Sequence, residues 1–123
     1  MSHPATVSVT HDDDLVVVSV MGEIDVSNAS EVERSILDAV PNGAAGLVFD
    51  ASGLAYLDSS GVRLLLSVAG RLRWRGQGFV LVAPVGSRCR HVLSLAGVDG
   101  ALSVEAAIGD APARIRADLD STR

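Results

Sequence analysis

The hydrophobic pattern of the chain changes period several times, and each change marks an element. Thr6-Val7-Ser8-Val9-Thr10 alternates polar and apolar, the signature of a strand with one wet face. His11-Asp12-Asp13-Asp14 is a charged turn, and Leu15 to Met21 is then apolar apart from Ser19, as in a strand buried on both faces. The two segments predict an opening β-hairpin. After Gly22-Glu23-Ile24-Asp25 the spacing lengthens. Ala29, Val32, Ile36, Ala39 and Val40 fall on one helical face, with Glu31, Glu33, Arg34 and Asp38 toward water. Ser27 or Asn28 can cap this helix, and Asn28 with Glu31 resembles a capping box. Pro41-Asn42-Gly43 breaks it.

Leu47-Val48-Phe49 predicts a short buried strand, Asp50-Ala51-Ser52-Gly53 a turn, and a connecting segment leads to Leu57-Asp58-Ser59-Ser60-Gly61. From about Ser60 to Trp74, the positions Val62, Leu65, Leu66, Ala69 and Leu72 repeat at helical spacing, and Gly76-Gln77-Gly78 ends the run. Phe79 to Val82 is another buried strand. Ala83 to Ser87 opens a third helix, with Val85, Cys89, Val92, Leu93 and Ala96 on one face and Gly97 as its stop. Ala101 to Val104 predicts an edge strand, Asp110 caps a last helix that tolerates Pro112 in its first turn, and Ser121-Thr122-Arg123 is expected to fray. The order requires crossover connections and an α/β fold: a mixed, mostly parallel sheet of about five strands with about four helices. In open sheets of this kind sites gather at the carboxyl ends of strands, so Asp25, Asp50 and the Asp58 loop are expected on one rim.

Composition narrows the class. The chain has 123 residues, 48% of them hydrophobic and only 3% aromatic, which suits one domain with an aliphatic core. No apolar run approaches the roughly 20 residues that cross a bilayer, and the N-terminus lacks the basic-then-apolar order of a secretory signal. A cytoplasmic protein without a membrane segment is expected. Net charge is −5, but residues 1–58 hold ten acids and one base, whereas residues 59–123 hold nine bases and five acids. All ten basic residues are arginine. An acidic balance disfavours direct nucleic-acid binding, and the split reads either as a partner-facing charge or as ordinary solvated surface that folding interleaves.

Candidate chemistry then thins out quickly. A serine hydrolase needs Gly-x-Ser-x-Gly and a histidine; Leu57 stands where the first glycine is required. Of the histidines, His3 is near a terminus, His11 in a solvated turn, and His91 on the third helix. A phosphate-binding loop needs a lysine, and the chain has none. Contiguous Asp12-Asp13-Asp14 cannot converge as a calcium loop does. Cys89, the single cysteine, lies on an apolar helix face as an inert core residue. Trp74, beside Arg71, Arg73 and Arg75, reads equally as an interface anchor and as a partly covered helix-end residue.

Asp58-Ser59-Ser60-Gly61 remains. One cap requires one such side chain and is worth about 1 kcal/mol; here three occur together, ahead of a glycine that leaves the backbone open to a partner. The residues alone leave an N-cap and a functional site equally open.

Asp50-x-Ser-Gly-Leu-x-x-Leu-Asp-Ser-Ser-Gly-Val, ending at Val62, resembles the central motif of anti-sigma factor antagonists of the STAS (sulfate transporter and anti-sigma antagonist) domain family. Gly22-Glu23-Ile24-Asp25 is similar to the family's other motif. Segments 75–82 and 92–98 are similar to its later progression. The resemblance covers about residues 6–118, and implies that residues 1–123 form one STAS domain. It implies a protein that is not an enzyme and holds no cofactor of its own. Its unphosphorylated form would bind an anti-sigma factor that is an ATP-dependent serine kinase, freeing the sigma factor. Phosphorylation of Ser59 would end the binding, and a serine phosphatase would restore it. Asp25, Asp58, Ser60, Gly61 and Glu23 would form the partner-binding surface. The same resemblance admits a non-phosphorylated scaffold subunit in a signalling or lipid-transport assembly.

Overall fold

Alternation along three neighbouring strands divides the core into two layers. In the computed structural model, which describes residues 4–121, Val16, Val18 and Val20 of β2 (Leu15–Ile24) share one side with Leu47 and Phe49 of β3 (Gly46–Asp50) and with Phe79 and Leu81 of β5 (Gly78–Val82). The intervening Leu15, Val48, Val80 and Val82 face the other side. Because both faces are apolar, these strands read as continuous hydrophobic runs. The first face is covered by α1 (Ala29–Asp38), α2 (Ser59–Trp74) and α3 (Arg88–Ala96), the second by α4 (Ala111–Ser121) through Ala111 and Ile115. Phe49 and Phe79 pack in the larger layer with ring centroids 6.3 Å apart.

The sheet runs β1-β2-β3-β5-β6, where β1 is Thr6–Asp12 and β6 is Val104–Glu105. β1 pairs antiparallel to β2; the other pairings are parallel. A sixth strand, β4 (Leu54–Leu57), lies off this path and pairs only with the end of β2, Gly22 to Ile24. It occupies the segment expected to be a plain connection, so the sheet has six strands rather than five. With four residues and a buried-exposed-exposed-buried pattern, β4 shows no period-two alternation.

β2 reaches β4 through a bulge between Gly22 and Glu23. Gly22 has φ +97°, and a Cβ there would stand 2.5 Å from the Pro4 carbonyl oxygen. Only glycine satisfies both conditions. Gly22 to Ile24 therefore continue β2, although the sequence suggested that the chain leaves the strand there.

Other expectations also shift. β1 extends through His11 and Asp12, leaving Asp13 (φ 59°) and Asp14 as the turn; β1 is exposed along nearly its whole length because it is an edge strand. β2 is not buried on both faces throughout: Met21 is exposed and Val17 half-buried, since α4 covers the neighbouring strands instead. Val85 precedes α3 and is exposed, and Ala96 is exposed too; Ser87 caps α3, its Oγ accepting from Arg90 N at 3.3 Å. A 3₁₀ turn, Asp99–Ala101, replaces the first part of the expected last strand, and a second, Ile108–Asp110, leads into α4. Ser121 closes α4 rather than fraying, its hydroxyl donating to the Ala117 and Asp118 carbonyls. His3, Thr122 and Arg123 lie outside the described residues.

Folding interleaves the two charge halves: Arg116 meets Asp14 at 3.2 Å and Arg71 meets Glu33 at 3.6 Å. No described helix is long and apolar enough to cross a membrane.

Candidate functional site

The end of β2 and the end of β4 stand side by side. Ile24 is the register partner of Leu57, and Asp58 N donates to the Ile24 carbonyl at 3.4 Å. The next residues, Asp25 and Asp58, therefore begin adjacent loops on one rim. From there the chain enters α2.

Asp58 is the N-cap. Its extended backbone lets Oδ1 accept from Ser60 N at 2.8 Å and Gly61 N at 3.3 Å, satisfying two of the helix's unpaired first-turn donors. Ser59 is the first helical residue. It is exposed, and its hydroxyl has no hydrogen-bond partner among the described residues. The capping task, which the sequence left open between Asp and Ser, belongs to Asp58, so Ser59 is not held as a cap. Ser60 is half-buried.

Gly61 differs from expectation. It is buried, and a Cβ on it would meet Leu57 Cδ1 at 2.0 Å, Leu57 Cγ at 2.8 Å and Ile24 Cγ2 at 3.4 Å. Its missing side chain admits the β4 side chain beneath the first turn of α2. The backbone is closed by the core at this point, not open toward a partner.

Asp25 is fixed by its own turn. Its Oδ1 accepts from the Ser27 hydroxyl at 2.5 Å and from Ser27 N at 2.9 Å. These two bonds, the hydroxyl first, hold its carboxyl below the ordinary carboxylate range, against a smaller opposing effect of burial. A depressed folded value means that this contribution to stability is present above the ordinary carboxylate range and fades as pH falls through the folded value. The Asp25 carboxyl resonance should therefore titrate below the ordinary aspartate range by NMR, and Ser27→Ala should move the midpoint upward.

Asn28 does not complete a capping box. Its Oδ1 accepts from Asp25 N at 3.0 Å and its Nδ2 donates to the Glu23 carbonyl at 2.9 Å, with no side-chain bond to the first turn of α1. The amide clamps the end of β2 to the start of α1, a use of both amide groups that the capping pattern concealed. Glu23 lies in β2 opposite Tyr56 of β4. Val26, between Asp25 and Ser27, is 82% exposed. An isolated valine within a turn gave no sequence signal.

Asp50 is not on this rim. β3 ends at Asp50 opposite Ser19, five residues before Ile24 on β2, or about 17 Å back along the strand. β4 extends the sheet past it. The Asp50 carboxylate accepts from Ser52 N at 3.0 Å, from the Ser52 hydroxyl, and from Ser19 Oγ at 3.4 Å. It anchors the turn into β4.

The described residues include no cluster of His, Cys, Asp or Glu able to hold a metal ion. Cys89 is buried, and burial pushes its thiol up to about 11, in accord with an inert core residue.

Residues 6–111 match the model of the STAS domain family. The chain is 32% identical over 120 residues to the anti-sigma-F factor antagonist RsfB of Mycobacterium tuberculosis, covering 94% of this chain and 95% of that one. Among solved structures, an anti-sigma factor antagonist from Mycobacterium paratuberculosis superposes with a TM-score of 0.80 at 31% identity, covering 94% of this chain and 99% of the other. The Bacillus cell fate determinant SpoIIAA in its phosphorylated form shares the fold, with a TM-score of 0.64 at 24% identity over 89% and 99% of the two chains.

Proposed function

The chain belongs to the STAS domain family, and from that premise we propose that it is an anti-sigma factor antagonist switched by phosphorylation of Ser59. The observation that carries this reading is the division of labour at the mouth of α2. Asp58 satisfies the helix end, which leaves the Ser59 hydroxyl exposed and uncommitted on a rim shared with Asp25. The mycobacterial relatives named as antagonists, aligned over nearly the whole chain, support the same assignment.

In this scheme the unphosphorylated rim of Glu23, Asp25, Val26, Asp58 and Ser60 docks on an anti-sigma factor that is a serine kinase, and the sigma factor is released. The kinase supplies ATP and the catalytic groups. The antagonist contributes the acceptor hydroxyl on a preformed helix end, so it is ligand and substrate rather than enzyme. A phosphate adds about −1.5 to −2 charges next to Asp58, whose carboxylate already engages the amides of Ser60 and Gly61. The added dianion is only partly compensated by the helix end and breaks the close contact with the partner. A serine phosphatase resets the switch. Gly61 supports the surface from beneath.

Incubation with the cognate kinase and radiolabelled ATP tests the acceptor. Wild type and Ser60→Ala are expected to take up label to comparable extents, and Ser59→Ala none. Label mapping to Ser60 in the Ser59→Ala protein would overturn the assignment.

A further inference from the structure

At the other end of α2 lies a surface with no part in the scheme above. α1 and α2 each connect parallel strands and run side by side in the same direction, so their C-terminal ends meet at the edge of the domain opposite the rim. Between them is a groove of about 410 Å³ that runs from these ends back along α1 to Ser30, lined by Glu33, Arg34, Leu37 and Asp38 on one side and by Arg71 and Arg75 at the end of α2 on the other. Trp74, the only tryptophan in the chain, is 93% exposed. Trp74 and Arg75 flank Arg71 on the helix surface at i+3 and i+4, Arg75 within the lining of the groove and Trp74 just outside it.

The charges in this groove are not balanced internally. Glu33 is committed to holding the two helices together, accepting from Ser67 Oγ at 2.8 Å and lying 3.6 Å from Arg71 Nε. Arg34 and Arg75 are exposed and make no ion pair among the described residues, and Asp38 is the other acid on the walls. Positive charge at a helix C-terminus complements the helix dipole, which accounts for arginines there. It does not account for a bare indole beside them. Arginine with tryptophan, next to a half-buried leucine, is the composition of a binding anchor rather than of a solvated helix end.

We propose that this groove is a second docking surface, for an acidic segment of a partner protein, with Trp74 as apolar anchor and Arg34 and Arg75 as the groups that select negative charge. A nucleic acid is disfavoured by the net charge of −5 and by the carboxylates in the groove walls. The α2 wall of the groove, Arg71 and Arg75, lies about 18–24 Å from Ser59 along the helix, beyond the screening length of about 8 Å at physiological ionic strength. Occupancy of the groove is therefore independent of the phosphate on Ser59.

Trp74, at the border of the groove, reports through its emission on a segment that docks there. The full-length protein is titrated with a synthetic peptide alternating glutamate and leucine, and with its lysine counterpart. The acidic peptide should give a saturable blue shift and the lysine peptide none. The double variant R34E/R75E, with R34Q/R75Q as a neutral control and circular dichroism as the check on folding, should weaken the apparent Kd about ten-fold or more, equivalent to about 1.4 kcal/mol. Ser59→Asp should bind the acidic peptide as wild type does, so failure here and failure of the Ser59 switch are separable. The proposal is overturned if the acidic peptide leaves the emission unchanged or binds R34E/R75E equally well. It is also overturned if the shift comes instead from RNA, from phosphatidylglycerol vesicles, or from raising the protein concentration alone.

Discussion

Ser59→Asp is expected to weaken binding of the anti-sigma factor about a hundred-fold, roughly 2.7 kcal/mol, while Ser59→Ala stays within about two-fold of wild type. The size follows from the rim. Asp25 and Asp58 already place two carboxylates on adjacent loops, and the N-terminal amides of α2 nearest Ser59 are engaged by Asp58. A further negative charge in a close-packed contact must be desolvated and has few donors left to meet it. Alanine removes only an exposed hydroxyl without a hydrogen-bond partner in this chain, so little is lost. Titration calorimetry of the two variants against the purified anti-sigma factor measures both numbers. Equal affinities for Ser59→Asp and wild type would mean that the partner docks elsewhere.

The second large effect concerns folding. Gly61→Ala should destabilise the domain by about 2 kcal/mol and lower Tm on the order of 5–10 °C. The added methyl would overlap Leu57, which is itself buried between α2 and the end of β2 and has little room to rotate away. Trimming that neighbour should recover part of the loss: Leu57→Val in the Gly61→Ala background is expected to be more stable than additivity of the single changes allows. Denaturant unfolding of the four proteins closes the cycle. A Gly61→Ala protein with wild-type stability and impaired binding would return Gly61 to the partner surface.

The two-faced strands could be read from sequence because burial on both sides leaves an unbroken apolar signature, as in Leu47-Val48-Phe49 and Phe79 to Val82. α1 and α2 were equally legible from their 3.6-residue spacing. β4 was not. Its pairing depends on a bulge at Gly22 and on the length of β2, neither of which has a local signal in Leu54–Leu57. The misplacement of Asp50 has the same origin. Without β4, every strand would end at one level, and Asp50 would share a rim with Asp25 and Asp58. The candidate site was visible as a cluster of Asp and Ser at a helix start. The Asp58 cap and the Asn28 clamp are local hydrogen bonds whose choice of partner depends on backbone conformations that residue spacing leaves open, and the inward task of Gly61 depends on Leu57 and on Ile24 of the neighbouring strand.

The bulge at Gly22 bears on how a kinase would recognise its target. Because β2 and β4 are about thirty residues apart where they pair, the surface around Ser59 is a discontinuous epitope. A peptide carrying residues 50–62 would hold the right letters, yet lack Asp25 and be too short to nucleate its own helix. Selectivity for such a surface rests on shape, so an intact domain is distinguishable from any unfolded or proteolysed chain that happens to contain the same motif.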